Sequence, residues 1–254
     1  VLRKHAIRCE HITEFGVRGV FSTYAFLSGR PKVMRSYDIE TSPNINEAID
    51  VAKESNIDFD FKEEDVLKTE IEQTDLLFID TLHTYAQLSQ ELKLHGNKSR
   101  KYIIIHDTET WGWQDEVDQA SSKKGMVAAI DEFLLENKHW RVKQRIKDSN
   151  GLTILERTPK FSIVIPTHNR KEDLEKCLES VFAFTDLADK EVFVVPNGCT
   201  DGTLEYLDSI RKKIRILNIV GDVGQIIPVK EGVKRAKGEY VILLDDDCVL
   251  LNQP

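Results

Sequence analysis

Gly238-Glu239-Tyr240-Val241-Ile242-Leu243-Leu244-Asp245-Asp246-Asp247 sets an apolar β-type run directly before three consecutive carboxylates. Like charges crowded at a strand end repel one another, so this is a poor way to stabilise a fold. It is a good way to hold a divalent cation against a diphosphate. A solvated acidic turn after a buried strand is the plain alternative for the Asp run taken alone. Two upstream stretches weigh against it: Phe161-Ser162-Ile163-Val164-Ile165-Pro166-Thr167-His168-Asn169-Arg170 and Glu191-Val192-Phe193-Val194-Val195-Pro196-Asn197-Gly198-Cys199-Thr200-Asp201-Gly202-Thr203. Each is a short β-branched run ending in turn-forming residues. Helical spacing follows each, through Leu174, Leu178, Val181 and Phe182, then through Leu204, Leu207 and Ile210. Polar loops at the carboxyl ends of successive strands in a β-α-β-α order are where open α/β sheets bind nucleotides.

From Phe161 to Asp247 these three motifs, in order and at family-like spacing, resemble the amino-terminal half of family 2 glycosyltransferases of the GT-A type. The resemblance implies that Pro166, Thr167, Asn169 and Arg170 border a nucleotide-sugar pocket, that Asn197 and Asp201 shape its loop, and that Asp245 and Asp246 belong to the same site. It implies that Asp245 and Asp247 flank a divalent metal, Mg or Mn, on the donor's diphosphate, with a sugar or glycan as acceptor. Such a metal neutralises the leaving diphosphate. Pro196 stands where the family usually has an acid that accepts a hydrogen bond from the base, which leaves the nucleotide open. The chain stops at Pro254, before the acceptor half and general base of a full domain, so the expectation here is a truncated transferase.

With 254 residues the chain has room for one or two domains. At 41% hydrophobic and 31% charged residues the composition is that of an ordinary globular protein able to form sizeable cores. A net charge of -8 disfavours nucleic acid as the main partner. No apolar run approaches the ~20 residues of a membrane span, and Val1-Leu2-Arg3-Lys4-His5 does not read as a signal peptide. Cys9, Cys177, Cys199 and Cys248 form no CxxC pair and no zinc-spaced cluster, so a reduced, cytoplasmic setting is expected. Glu156-Arg157-Thr158-Pro159-Lys160 is the candidate boundary, which predicts domains over 1–157 and 161–254.

In the first domain strand and helix patterns alternate. Strands are expected at Ile12 to Val17, Lys32 to Ile39, Ile57 to Phe61, Asp75 to Ile79 and Tyr102 to Ile105, with two closing strands near Arg141 to Ile146 and Leu152 to Leu155. Helices are expected at Val20 to Leu27, Asn46 to Glu54, Tyr85 to Leu94 and Val127 to Leu135. The order implies a mostly parallel α/β sheet with an antiparallel edge.

The first strand runs into Glu14-Phe15-Gly16-Val17-Arg18-Gly19, which by itself reads equally as a tight strand-to-helix turn. It opens a helix, and acids follow the next two strands at Asp38 and Asp65. These features resemble class I S-adenosylmethionine-dependent methyltransferases, with a Rossmann-like fold. The resemblance implies that Gly16 and Gly19 border the methionine part of the cofactor, that Asp38 binds ribose and that Asp65 lies near the adenine amino group, with Glu14 in the same cofactor-binding set. Dinucleotide binding fits less well, because the turn is not GxGxxG.

The fourth strand ends in Ile79-Asp80-Thr81-Leu82-His83 and the fifth in Ile105-His106-Asp107-Thr108. Carboxyl ends of adjacent parallel strands sit side by side, so Asp80, His83, His106 and Asp107 are expected to converge. Two carboxylates and an imidazole can hold a divalent cation while a second imidazole takes a hydroxyl proton. A helix-start histidine bonded to backbone is the structural alternative for His83. The layout resembles metal-dependent sugar O-methyltransferases and the cephalosporin-hydroxylase-like group. That resemblance implies Asp80 and Asp107 as ligands and His83 as general base, with His106 standing in the metal set where the pattern has an acid. The polar stretch from Thr108 to Gly125 reads as a lid or binding loop whose Trp111 and Trp113 either stack on a sugar or pack the loop down.

The whole reads as a bifunctional carbohydrate-modifying enzyme, an O-methyltransferase joined to half of a glycosyltransferase. The alternatives are a first domain that is a non-catalytic binding module, and a methyl acceptor that is a non-sugar hydroxyl compound.

Overall fold

A computed structural model describes residues 1–116, 124–185 and 190–251. The chain divides into two compact units, Val1–Arg157 and Thr158–Pro254.

The first unit is built on β1 (His11–Phe15), β2 (Val33–Asp38), β3 (Asp58–Glu63), β4 (Thr74–Ile79), β5 (Ser99–His106), β6 (Trp140–Ile146) and β7 (Leu152–Arg157). They form one sheet in the order β3-β2-β1-β4-β5-β7-β6. β1 to β5 are parallel, while β7 runs antiparallel to both β5 and β6. The central strands are apolar on both faces because helices cover both. Leu77, Ile79, Ile103 and Ile105 pack with Leu88 and Leu92 of α4 (Tyr85–His95) and Ile130 and Phe133 of α5 (Met126–Glu136). Leu76, Phe78 and Ile104 point the other way, onto Phe26 of α2 (Phe21–Leu27) and Ala48 and Ala52 of α3 (Ile45–Glu54). At roughly 1.5–3 kcal/mol per fully buried large apolar side chain, these strands fix the middle of the sheet, while β3, which alternates exposed and partly covered residues, sits at its edge. A short helix, α1 (Leu2–Ala6), precedes β1 and packs Ala6 into the second of these cores; one charged turn carries too little periodicity to be read from sequence. Glu156 and Arg157, placed by the sequence in the boundary segment, belong to β7. There Arg141 and Lys143 of β6 pair with the Glu156 carboxylate at 2.5 and 2.8 Å.

The strand order reverses at β1, which has β2 on one side and β4 on the other. Connections leave in opposite directions there, opening a crevice at the carboxyl ends of β1 and β4.

The second unit has four parallel strands in the order β10-β9-β8-β11, where β8 is Phe161–Thr167, β9 Lys190–Pro196, β10 Arg215–Ile216 and β11 Tyr240–Leu243. Ile163, Ile165, Val192 and Val194 pack against Leu174, Leu178 and Val181 of α6 (Lys171–Phe184) and Leu207 of α7 (Thr203–Ser209). α8 (Ile226–Arg235) lies on the other face of β8. A Cβ on Gly232 would come 2.5 Å from the Val164 side chain, so the helix packs as closely as it does because this residue is glycine. Contrary to the buried strand suggested by its apolar run, β11 is exposed along its whole length, and among the described residues it pairs only with β8. Among the described residues no helix is long and apolar enough to cross a membrane.

Candidate functional site

The β1–α2 turn is tightly wound. Gly16, Arg18 and Val20 all take left-handed backbone, with φ of 84°, 35° and 56°. For a β-branched residue such as Val20 this conformation is strained and persists only where the surroundings fix it. The Asp38 carboxylate does much of the fixing, accepting from the Val17 and Arg18 backbone N–H groups at 2.7 and 3.2 Å. Its other oxygen accepts from Glu40 N at 3.3 Å. Gly16 is required by its neighbour on β4, since a Cβ there would stand 1.9 Å from the Asp80 carbonyl oxygen. The glycine turn and the Asp80 loop are therefore packed as one body. A Cβ on Gly19 would meet only the Phe21 ring, at 2.8 Å, and that side chain is 86% exposed. Asp65 accepts from Leu67 N at 3.0 Å and pairs with Lys68 at 2.9 Å.

Glu14 lies fully buried beneath the turn. Its Oε2 accepts from Thr23 Oγ1 at 2.8 Å and Ser36 Oγ at 2.7 Å, and its Oε1 has no hydrogen-bond partner among the described residues. Burial pushes this carboxyl up to about 7, against the pull of the neighbouring Ser22, Ser36 and Thr23 hydroxyls. Because its folded value lies above the ordinary 4.5, the native state binds the extra proton. The stability it contributes is complete below the unfolded value and is lost as pH rises through the folded one, on the order of 3 kcal/mol in all. Thermal melts between about pH 5 and 8 should show this fall, and Glu14→Gln should remove much of it. An unchanged slope in that variant would assign the fall to other groups, such as Glu91, which burial also raises to about 7.

At the ends of β4 and β5, whose register sets Ile79 beside Ile105, the four expected side chains converge. His83 Nε2 is 3.1 Å from Asp80 Oδ1 and 3.4 Å from Asp107 Oδ2. His106 Nδ1 is 3.1 Å from Asp80 Oδ1 and 2.8 Å from Asp107 Oδ1. Burial raises the Asp80 carboxyl, but hydrogen bonds and charge from His106 and His83 outweigh it and hold the group at about 2. Burial lowers His83, and Asp80, Glu116 and Asp107 together raise it above its ordinary value. His106 is raised chiefly by its bond to Asp80, against burial. Asp80, His106 and Asp107 each bring a ligand atom within 4.8 Å of the others. Asp107 Oδ1 is buried and makes no hydrogen bond of good geometry among the described residues. A carboxylate–imidazole–carboxylate set with such an oxygen suits a divalent cation.

Glu116 is a member of the site that carries no sequence signal. Its carboxylate lies 2.8 Å from His83 Nδ1. It belongs to the loop following β5, where the structure also separates the two tryptophans. Trp111 packs against the core, whereas Trp113 is 76% exposed. Residues 117–123 of the stretch expected to form a lid lie outside the described residues.

In the second unit a cavity of about 450 Å³ opens over the strand ends. Pro166, Thr167, Arg170, Asn197, Asp245, Asp246 and Asp247 all line it, as do His168 and Asp222, which sequence reasoning did not assign. Asp246 is buried, accepting from Thr167 Oγ1 at 2.7 Å and Arg170 at 3.3 Å, so it ties β11 to β8. Arg170 also pairs with Asp247 at 2.8 Å. Asp245, Asp247 and the thiol of Cys248 bring ligand atoms within 4.8 Å of one another. Asn169 and Asp201 lie outside the lining. Asn169 accepts from Thr200 N at 2.7 Å, and Asp201 accepts from Lys171 N at 2.9 Å and from Thr203 Oγ1 at the start of α7, so both hold the loops in place. Asn197 spans the cavity floor, donating to Asp222 at 3.0 Å and accepting from Val223 N at 3.1 Å.

Residues 162–253 match the model of glycosyl transferase family 2. The second unit carries a family 2 glycosyltransferase domain. Over 93 residues the chain is 34% identical to a poly(ribitol-phosphate) beta-glucosyltransferase of Bacillus spizizenii, covering 35% of this chain and 15% of that protein. Residues 1–349 of S. aureus TarS are 29% identical over 35% of this chain and 27% of theirs, with a TM-score of 0.33. A putative O-methyltransferase from Klebsiella pneumoniae covers 61% of this chain and 79% of its own at 16% identity and a TM-score of 0.44. The chain thus spans well under a third of the curated glucosyltransferase it matches. The α/β class of the first unit is read from its own strand order, parallel from β3 through β5 with an antiparallel β7.

Proposed function

We propose that the chain belongs to a bifunctional carbohydrate-modifying enzyme that methylates a hydroxyl, of a sugar, in its first unit and binds a nucleotide sugar in its second. The observation that carries the methyl-transfer reading is the meeting of Asp80, His83, His106 and Asp107 beside the glycine turn. His83 Nε2 faces the cluster and takes the proton of the acceptor hydroxyl. Asp80, His106 and Asp107 would hold a divalent cation, whose positive charge favours the deprotonated acceptor oxygen. S-adenosylmethionine, when bound, supplies an electrophilic methyl group, and the Gly16 turn with the Asp38 and Asp65 strand ends would seat it. Glu14 is covered by protein and braces that turn from below, through Thr23 and Ser36, rather than reaching a ligand itself.

In the second unit Thr167, Arg170 and Asn197 line the cavity for a nucleoside diphosphate, and Asp245 and Asp247 would hold its Mg or Mn ion. Arg170, paired with Asp247, supplies a further positive charge at the same place.

Calorimetric titration with S-adenosylmethionine, with and without magnesium, tests the first half. Failure to bind under both conditions would leave the first unit a non-catalytic module. Titration with UDP and GDP, with and without manganese, tests the second. Binding should require the metal in the native chain and lose that dependence in Asp247→Asn, because a neutral amide no longer holds a hard cation. Metal-independent binding by the native chain would reduce the Asp run to a solvated turn.

A further inference from the structure

The cavity of the second unit has two unlike ends. Asp245 and Asp247 follow β11, whereas Asn197 follows β9 and Asp222 follows β10, and all four line the cavity. In the order β10-β9-β8-β11 two to three strand spacings separate these ends, roughly 10–14 Å at ~4.8 Å each. That is the reach of an extended nucleoside diphosphate, so a diphosphate at Asp245 and Asp247 leaves its base at the Asn197 and Asp222 end. Pro196, the last residue of β9, offers that end no polar side chain. The Asp222 loop is built against it instead. The Ile219 N–H donates to the Pro196 carbonyl and the Gly198 N–H to the Ile219 carbonyl, both at 2.9 Å. A Cβ on Gly198 would stand 2.6 Å from the Gly221 main chain and 2.7 Å from Asp222 N, so the loop comes this close because residue 198 is glycine.

Asp222 Oδ1 is taken up by the protein, accepting from Asn197 Nδ2 and from Gly224 N, each at 3.0 Å. Its Oδ2 makes no hydrogen bond among the described residues and lies 4.0 Å from His168 Nε2, on a side chain that is 60% exposed. The Gly224 N–H holds this carboxyl below its ordinary value, so Oδ2 belongs to an ionised group that can only accept. Uracil and guanine each present a ring N–H on their pairing edge. Cytosine and adenine present a bare ring nitrogen there, whose lone pair a carboxylate repels. We propose that Asp222 reads the base of the bound nucleotide, accepting through Oδ2 from the ring N–H of uracil or guanine. The inference rests on the nucleotide-sugar reading of this cavity and deepens it by naming the class of base.

The test is calorimetric titration of the full chain, in manganese, with UDP, GDP, CDP and ADP, and with UDP methylated at N3 and GDP methylated at N1. The tighter binder of UDP and GDP identifies the base. It should exceed its own methylated form by on the order of 10-fold or more in affinity, the scale of a hydrogen bond to a charged group. In Asp222→Asn the two donors at Oδ1 hold the amide oxygen in place, which leaves the NH2 group where Oδ2 was. That variant should lose most of the methylation effect and narrow or reverse the preference over CDP and ADP, changes that a merely structural role for Asp222 would not produce. Circular dichroism melts check that it is folded at the temperature used. Native binding that is indifferent to ring methylation, or a base preference unchanged in Asp222→Asn, overturns the proposal, while metal-dependent binding in the same titrations keeps the nucleotide-sugar reading. No binding of any of the four diphosphates removes both.

Discussion

His83→Ala is expected to bind S-adenosylmethionine as the native chain does and to lose methyl transfer by on the order of 10²- to 10⁴-fold, the usual contribution of a positioned general base. The expectation comes from position. Nε2 faces two carboxylates that no other described imidazole except that of His106 approaches, and only 13% of the His83 side chain is exposed. His106 cannot replace it, because its Nδ1 is turned to Asp80 and Asp107 as part of the candidate metal set. Transfer of labelled methyl to a panel of sugars and nucleotide sugars, with cofactor affinity measured alongside, separates the cases. A surviving rate makes His83 a helix-start residue held by backbone and Glu116. A lost rate with lost cofactor binding places it in the cofactor cradle instead.

The largest effect on stability is expected from Gly16→Ala. The left-handed backbone at this residue costs a non-glycine roughly 1–2 kcal/mol. The new methyl would also stand 1.9 Å from a main-chain oxygen of Asp80, which cannot swing aside as a side chain does. Overpacking against rigid surroundings adds roughly 1–3 kcal/mol, so the total loss is roughly 2–5 kcal/mol. Gly19→Ala is the internal control. Its methyl meets the exposed Phe21 ring, which can rotate away, and the expected change is under ~1 kcal/mol. Urea unfolding of both variants measures the difference. Equal effects would show that the Asp80 loop yields as readily as a surface side chain, and that the two turns are not packed as one body.

Much of this molecule is legible along the chain. The apolar runs at Leu76 to Ile79 and Ile103 to Ile105 announce central strands because burial on both faces leaves no polar alternation. Once those strands are taken as parallel neighbours, Asp80 must meet His106, since each is the residue just past a paired position. The same logic brings Thr167 and Asn197 to one rim and places Asp245 to Asp247 beside them. In these places chemistry sits at the end of a periodic element, and the period gives the position.

Where the backbone is irregular that inference stops. Glu116 is 33 residues from His83, in a loop with no period, and only its folded path sets the two carboxylate contacts. Asp222 and His168 meet Asn197 for the same reason, through turns that no pattern orders. The exposure of β11 likewise could not come from its composition, because an apolar run reports what a strand is able to bury, and its neighbours decide what it does bury. Sequence determined the order of the strongly periodic strands and helices and the residues at their ends, since these follow from local periodicity and side-chain chemistry, but not the short or weakly patterned α1, β10 and α8. Tertiary structure decided which loop closes on which strand end, because that depends on contacts between segments whose separation the chain itself does not encode.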